Sequence, residues 1–206
     1  MKLIDYVVAQ ETPLPPIQAA MYEYVTAANG VFVRGKRTGM EVLLPVIVNP
    51  LIEVRGLVPV APFVRLDYPR VYESLMRKVL DAARGAIDSS LNPLEVLLYL
   101  GWGSDGWWMT KPPQEQTAAS VRPVGSTATY EDSLIELHSH HEMPAQFSNT
   151  DNADETGFRL YAVLGNIFKW PTLRVRVGLY GHYWEIPASL IFDLPPNVRD
   201  THEQSC

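Results

Sequence analysis

The sequence predicts a mixed α/β fold, and two observations carry this prediction. Segments with strand and helix patterns follow one another in the order strand, helix, strand, strand, helix, strands. The 17 prolines and 13 glycines are spread along the chain, as in proteins with many short strands joined by turns. The 206 residues are 47% apolar and 19% charged, which suffices for a packed core and excludes a disordered chain.

Residues 1–68 are predicted to be a strand-rich N-terminal extension. Val31–Val33 and Met40–Val48 flank a Gly-Lys-Arg-Thr-Gly stretch, a pattern typical of a β-hairpin. Prolines interrupt this region at Pro45, Pro50, Pro59 and Pro62. Because proline cannot donate a hydrogen bond to a neighbouring strand, we expect edge strands and irregular segments here. We assign this extension no chemistry.

A helix is predicted from Pro69 to Ala86, followed by a buried strand. Apolar residues recur at helical spacing at Val71, Leu75, Val79, Ala82 and Ala83. Pro69 suits the first turn of a helix. After Asn92-Pro93, the run Leu94–Leu100 is apolar except for Glu95, which indicates a buried strand.

Residues 101–131 are rich in Ser, Thr, Pro and Gln. A long polar connection inside a compact domain is often a lid or a binding loop, and we predict one here. Trp102, Trp107 and Trp108 are candidates for lining a groove beneath it, and packing at the core or its rim is the alternative.

The remaining pattern predicts four strands, one short helix and a tail. The strands cover residues 134–140, 159–164, 173–179 and 183–186, and the helix covers Ser148 to Thr156. Arg174 and Arg176 alternate with valines, which indicates one solvated face. Residues 197–206 are polar and are predicted to be a poorly ordered tail, so the second domain spans residues 69–196.

Charge and cysteine content narrow the class of protein. The net charge is −6, and the largest basic cluster (Arg34, Lys36, Arg37) is small, which argues against nucleic-acid binding. The single cysteine, Cys206, cannot form an internal disulfide. The N-terminus does not have the pattern of a signal peptide, and no apolar run is long enough to cross a bilayer. We therefore expect a cytoplasmic protein.

Three of the five histidines fall within four residues. Side chains at i and i+2 of a strand point to the same side, so His138 and His140 can direct two imidazoles at one point. A loop and a helix start then return Asp151 towards them. Two nitrogens and one carboxylate leave a fourth position of a zinc ion open for water, the ligand count of a catalytic zinc site. Ser148-x-x-Asp151 is also a helix capping box, and the two interpretations are compatible.

A hydrolytic zinc site also needs a carboxylate that moves protons. Glu95 is the first candidate, since a lone acid in an apolar strand is costly to bury without a role. Glu136 competes with it, because it lies two residues before His138 and shares its face of the strand. Glu142 and Glu155 occupy polar loop or helix positions and are weaker candidates.

These residues resemble the motif of the JAMM (MPN-type) metalloproteases, in the bacterial Mov34/JAB-like branch. The chain has His138-Ser139-His140, seven residues, Ser148, two residues and Asp151, with Asn92-Pro93-Leu94-Glu95 upstream after a helix. The resemblance covers residues 69–192. The stretch from His138 to Gly165 is most similar to the members found in PRTRC plasmid-type gene cassettes, which also encode ParB-related and ThiF-related proteins.

The resemblance implies a fold, an activity and partners. The fold would be a mixed, curved β-sheet flanked by helices, with a core like that of JAMM proteins and cytidine deaminases. His138, His140 and Asp151 would bind Zn²⁺, Glu95 would act as general base and then acid, and Ser148 would stabilise the oxyanion. The substrate would be a peptide or isopeptide bond after the tail of a ubiquitin-like protein, and a ThiF-like activating enzyme would be a further partner.

One departure and two other functions stay open at the sequence level. His141 stands where many JAMM proteins have proline, so it is a candidate spare ligand or substrate contact. The first alternative function is a JAMM-like binding or scaffold module without turnover. The second is a metal hydrolase of small molecules.

Overall fold

The computed structural model describes residues 2–49, 51, 53–125 and 128–202. The strands are β1 (Ile4–Val8), β2 (Tyr22–Ala27), β3 (Gly30–Arg37), β4 (Met40–Val48), β5 (Phe63–Leu66), β6 (Leu97–Gly103), β7 (Gly106–Thr110), β8 (Gln114–Gln116), β9 (Val121–Pro123), β10 (Ile135–Ser139), β11 (Phe158–Gly165), β12 (Thr172–Leu179), β13 (His182–Ile186) and β14 (Arg199–Asp200). The helices are α1 (Glu73–Arg84), α2 (Ala128–Asp132), α3 (Asn149–Asp154) and a 3₁₀ turn at Ala188–Leu190. The fold is mixed α/β with few helices.

The chain divides into two compact units. The first contains residues up to Asp67 together with 156–158 and 178–184, and the second contains the remainder. The first division, between Asp67 and Tyr68, lies one residue from the boundary placed at 68/69 by the sequence. The two short later segments were not foreseen, because their contacts depend on side chains far away in sequence.

The first unit is built on a five-stranded sheet in the order β1-β2-β3-β4-β5. The predicted hairpin is present as β3 and β4. The hydrophobic core beside this sheet contains Val25, Phe32 and Leu43. Pro45 lies in β4 beyond the residues that pair with β5, and the β3–β4 register shifts beside its partner Phe32. The proline therefore occupies a local sheet edge, where no donor is required.

The segments 156–158 and 178–184 belong to the first unit through specific contacts. Gly35 leaves room for the side chains of Leu179 and Phe158, which a Cβ at this position would meet at 2.8 and 3.3 Å. Arg37 Nη1 donates to the carbonyl of Phe158 at 2.7 Å. His182 Nε2 lies 3.1 Å from the hydroxyl of Tyr24. His182 thus begins β13 and packs with tyrosines.

The other large sheet is curled and mixed and has seven strands, most of whose residues belong to the second unit. Its order is β13-β12-β11-β10-β6-β7, with β14 added beside β12. β10 pairs in parallel with β11 and antiparallel with β6, so it is an interior strand. Every residue of β11 is buried, as expected for a strand covered on both faces. β10 is the strand that carries His138.

Helix α1 begins four residues later than Pro69, at Glu73. Val71 is completely buried but forms a β-bridge with Phe192, which holds this stretch in an extended conformation. The helix buries Leu75, Met76 and Val79, so the predicted apolar face is confirmed. The predicted start of the helix at Pro69 was wrong, because a long-range strand contact at Val71 competes with the helical pattern.

Residues 101–131 are not one long loop. They contain the end of β6, all of β7, the β8–β9 hairpin and α2. Trp107 is buried and donates from Nε1 to the carbonyl of Pro69 at 2.8 Å, and Trp102 stacks on Tyr68 with ring centroids 4.9 Å apart. The tryptophans Trp102 and Trp107 therefore pack against neighbouring aromatic and backbone groups.

The polar tail is ordered as far as residue 202. Arg199–Asp200 forms β14 on β12, Val198 is buried, and Asp200 accepts from the backbone amide of Ser189. The expectation of poor order does not hold for 197–202, since residues 199–201 form backbone hydrogen bonds with Pro171 and Leu173. Residues 203–206, and with them Cys206, lie outside the described residues. No helix among the described residues combines the length and apolarity that a membrane crossing needs.

Candidate metal centre

The two histidines project from the end of β10. His138 is the penultimate residue of the strand and pairs with Leu97 of β6 and Val163 of β11. His140 follows the strand, and its amide donates to the carbonyl of Leu164 at 2.8 Å. The two Nε2 atoms lie 3.3 Å apart. The strand therefore directs both imidazoles to one point, as the i, i+2 spacing predicts.

The tautomer of His140 follows from its partner. Nδ1 lies 3.0 Å from the carbonyl oxygen of Pro144. A carbonyl accepts and cannot donate, so Nδ1 carries the proton and Nε2 of the neutral ring presents a lone pair. A backbone carbonyl on the far nitrogen is a common way to orient a metal-binding histidine.

His138 is held in its neutral form by burial. Its side chain is buried, and this burial lowers the pKa of His138 to about 4, although the Asp151 carboxylate opposes the shift. A neutral imidazole is the form that binds a metal ion. Two ring nitrogens 3.3 Å apart repel each other if both present lone pairs, so a proton or a cation between them is favourable.

Asp151 lies at the third position of α3, and one carboxylate oxygen closes the helix cap. Ser148 is the N-cap: its Oγ accepts from the amide of Asp151 at 3.1 Å, and its own amide donates to Asp151 Oδ2 at 2.5 Å. The predicted capping box is confirmed. Asp151 Oδ1 lies 3.7 Å from His138 Nε2. The cap therefore fixes the second oxygen beside His138.

Glu95 lies just before β6, and its carboxylate faces His140. Glu95 is 4% exposed, and its Oε1 lies 3.9 Å from His140 Nε2. Oε1 is fully buried without a hydrogen-bond partner among the described residues. Burial, followed by the Asp151 carboxylate, raises the pKa of Glu95 to about 7. A buried carboxylate oxygen without a protein partner needs an explanation, and a bound ion, a bound water or a catalytic role would each supply one.

Glu136 is the second carboxylate with a raised pKa. Burial raises the pKa of Glu136 to about 7, opposed by Arg159. Glu95 forms a pair with His140 within 4.0 Å, whereas Glu136 forms none with either site histidine in the described part of the chain. The geometry therefore favours Glu95 over Glu136.

A third carboxylate is close to the same point. His138, Asp151 and Glu155 offer ligand atoms that all lie within 4.8 Å of one another. These buried or half-buried groups can hold a metal ion. Glu155 was expected in a polar position but is buried, because Arg176 of β12 binds it through Nε at 2.8 Å and Nη2 at 2.5 Å. Arg176 was expected on a solvated face and is 4% exposed.

Ser139 is a buried structural residue beside the site that the motif does not reveal. It is fully buried between the two histidines, and its Oγ accepts from the amide of Val96 at 3.1 Å while its amide donates to the carbonyl of Val96 at 3.0 Å. Ser139 therefore ties the backbone next to Glu95 to the strand of the histidines. Alternation along a strand turns it away from His138 and His140. A polar residue inside a buried strand was the available signal.

The β8–β9 hairpin supports Glu95 from the other side. Gln116 Nε2 donates to the carbonyl of Glu95 at 2.5 Å, and the amide of Glu95 donates to the carbonyl of Thr117 at 2.9 Å. The side chain of Gln114 binds both the amide and the carbonyl of Leu97. The segment expected to be a lid thus fixes the backbone of the candidate base.

His141 does not join the histidine pair. It is buried, and Nε2 has no partner among the described residues. Burial lowers the pKa of His141, so the ring is neutral at physiological pH. Its carbonyl accepts from the amide of Ile167 at 2.8 Å, which fixes the loop after β10.

The donor set fits zinc. Two imidazole nitrogens and one carboxylate oxygen are ligands that zinc prefers. The fixed tautomer of His140, the neutral His138 and the orphaned Glu95 oxygen agree with a cation at this point. The two imidazoles favour zinc over Mn²⁺ and Mg²⁺, but the donor chemistry does not itself distinguish zinc from copper, iron or nickel.

Neither the family models nor the curated proteins to which the chain was compared include a match.

Replacing Ser139 with alanine is expected to destabilise the protein by about 1–3 kcal/mol, because the amide of Val96 loses its buried acceptor. Urea denaturation of the metal-free protein measures this loss. Ser104→Ala, at an exposed position in the β6–β7 turn, is the control and is expected to change stability by less than about 0.5 kcal/mol. If Ser139→Ala were as stable as wild type, Ser139 would make no contribution to holding the site together.

The raised pKa of Glu95 predicts a pH-dependent stability for the metal-free protein. The folded chain holds a proton on Glu95 up to about pH 7, whereas an unfolded glutamate loses it near 4.5. The folded state therefore binds more protons between these values, and its stability falls as the pH rises through this window. Glu95→Gln removes this loss and is expected to be more stable than wild type by about 2–3 kcal/mol at pH 8 and equal to it at pH 4.

Denaturation at pH 4 and pH 8 in the presence of a chelator tests this expectation. Glu142→Gln, at an exposed loop position, serves as the control. A Glu95→Gln protein that is less stable than wild type at pH 8 would show that the carboxylate is favourably paired in the folded state.

Proposed function

We propose that the chain is a zinc-dependent metallopeptidase of the JAMM type. It hydrolyses a peptide or isopeptide bond that follows the tail of a ubiquitin-like protein. The observation that carries the proposal is that His138 Nε2 lies close to both His140 and Asp151, with the buried carboxylate of Glu95 beside His140. These are the residues of the JAMM-like motif, in the order of that motif.

His138, His140 and Asp151 would hold the zinc ion. When bound, zinc polarises the scissile carbonyl and makes a water molecule more acidic. The backbone pairing of β10 with β6 and β11 holds His138, and the capping box holds Asp151. Rigid support of this kind keeps the ligands in place without a cost of reorganisation at each turnover.

Glu95 moves the proton. Its carboxylate accepts a proton from the attacking water and donates it to the leaving amine, so that the amine departs neutral. Burial keeps the proton affinity of Glu95 higher than that of an exposed glutamate, and a bound cation counteracts part of this shift. The hairpin contacts at Gln116 and Thr117 keep its backbone fixed during both transfers.

We assign Ser148 the role of stabilising the oxyanion of the tetrahedral intermediate. Its Oγ accepts from the amide of Asp151 and its hydroxyl proton remains available for donation. A hydroxyl donor at the developing charge lowers the barrier, typically by a few kcal/mol.

The substrate and partners follow from the resemblance. We propose a ubiquitin-like protein or its conjugate as the substrate, and a ThiF-like activating enzyme of the same gene cassette as a partner. The cytoplasm is the proposed compartment.

Metal content and turnover, measured together on the purified protein, test the proposal. The substrate is a ubiquitin-like protein from the same gene neighbourhood that carries a C-terminal peptide extension, and mass spectrometry detects the released peptide. We expect about one zinc per chain and cleavage at the tail. Full zinc without cleavage of any tail would favour a binding module or a hydrolase of small molecules. Protein without zinc would contradict the proposal.

A further inference from the structure

Glu155 is an alternative to His140 as the third ligand of the proposed metal site. Its carboxylate, His138 and Asp151 form the described group whose ligand atoms all lie within 4.8 Å of one another. If Glu155 were a ligand, the donor set with His138 and Asp151 would contain one nitrogen and two carboxylates. Oxygen-rich sets of this kind suit Mn²⁺ and Mg²⁺, whereas sets with more imidazole suit zinc.

Arg176 binds one oxygen of the Glu155 carboxylate and so restrains the side chain. Nε and Nη2 both donate to the same oxygen, Oε2, at 2.8 and 2.5 Å. Both side chains are almost fully buried, with exposures of 5% and 6%. Separating a buried charge pair of this geometry costs free energy, because each charge would be left without a partner where water has little access.

Arg176 itself cannot follow Glu155 towards the metal. Its Nη1 donates to Asn152 Oδ1 at 2.6 Å, and the guanidinium lies over the ring of Phe147 at 4.0 Å from the centroid. β12 fixes its backbone inside the sheet. The guanidinium is therefore restrained by α3, by the loop before α3 and by its own strand.

We propose that Arg176 sets the metal preference of the site by keeping Glu155 out of the coordination sphere. The site is left with His138, His140 and Asp151, a set that prefers zinc. Arg176 is a positioning residue that acts through Glu155. This inference rests on the metal site of the proposed function, although it does not require that the protein cleave a substrate.

Two single variants test whether Glu155 is excluded. The zinc affinity of Glu155→Gln, measured with ZnCl₂ against a competing chelator, is expected to stay within about 3-fold of wild type. Asp151→Asn, which removes a ligand, is expected to lose at least about 100-fold. If Glu155→Gln loses as much affinity as Asp151→Asn, then Glu155 is a ligand and the inference is overturned.

Arg176→Met tests the role of the guanidinium, since methionine keeps an apolar stem but has no donors. Removing Arg176 frees Glu155, so the ratio of the MnCl₂ and ZnCl₂ dissociation constants is expected to fall about 10-fold. The double variant Arg176→Met/Glu155→Gln is the matched control and is expected to restore the wild-type ratio. An unchanged ratio in Arg176→Met would overturn the inference.

The outcomes separate this inference from the proposed function. Wild-type protein that binds zinc with the expected preference but cleaves no tail contradicts the peptidase and leaves the inference supported. Wild-type protein that cleaves while Glu155→Gln loses zinc does the reverse. If Arg176→Met does not fold, the comparison of Glu155→Gln with Asp151→Asn still decides.

Discussion

Glu95→Gln is expected to lower the rate of tail cleavage by about 10²–10⁴-fold while the zinc content stays at the wild-type level. Glutamine keeps the shape of the side chain but cannot accept a proton from water and return it to the leaving amine. Glu95 Oε1 lies 3.9 Å from His140 Nε2, which is beside the proposed metal ligands, and Glu95 is not itself one of them. Single-turnover cleavage of the tailed ubiquitin-like substrate, together with zinc analysis of the same sample, measures both quantities.

Glu142→Gln and Glu136→Gln are the comparison variants. Glu142 is exposed in the loop after the histidines, so its replacement is expected to leave the rate within about 3-fold of wild type. Glu136 has no pair with a site histidine within 4.0 Å among the described residues, and its variant is expected to lose much less activity than Glu95→Gln. A larger loss in Glu136→Gln would transfer the role of base to Glu136.

Asp151→Asn is expected to weaken zinc binding by at least about 100-fold. Asparagine can still accept from the amide of Ser148, so the helix cap survives while the charged ligand is lost. This variant therefore tests the role of Asp151 as a ligand separately from its role in the helix cap. Competition for ZnCl₂ with a chelating dye measures the affinity, and circular dichroism confirms that the fold persists.

Asp154→Asn supplies the matched control. Asp154 lies in the same short helix, is exposed and has the same charge, so its replacement changes the net charge equally without removing a proposed ligand. We expect its zinc affinity to stay within about 3-fold of wild type. Equal losses in the two variants would mean that long-range charge, and not coordination, underlies the effect.

Local patterns in the sequence predicted the parts of the site that lie close together in the chain. The alternation over residues 134–140 placed His138 and His140 on one side of a strand, and the Ser148-x-x-Asp151 spacing predicted the capping box. Both depend on the period of a single element, so they can be read without knowledge of the fold.

The contacts that hold the site together could not be read in this way. Ser139 and Val96 are 43 residues apart, and Arg176 and Glu155 are 21 apart. Such contacts depend on which strands become neighbours and in what register, and one residue of slip would reverse the side chains. Glu95 illustrates both cases: its burial was expected, but it precedes β6 and is fixed by Gln116.

The burial of Arg176 shows why an alternating pattern can give a wrong prediction of solvent exposure. Charged and apolar residues alternate from Arg174 to Val177, as on a strand with one wet face. Arg174 is one-third exposed and pairs with Glu185, whereas Arg176 is buried against Glu155. An arginine on a polar face of a strand can therefore be buried when a buried carboxylate pairs with it.

Anomalous diffraction at the zinc absorption edge, on crystals grown with one equivalent of ZnCl₂, tests the central claim most directly. We expect one strong peak within about 2.0–2.2 Å of His138 Nε2, His140 Nε2 and Asp151 Oδ1, with Glu155 still bound to Arg176. A peak coordinated by Glu155 in place of His140 would contradict the ligand set, and crystals without a peak at these residues would contradict the metal site itself.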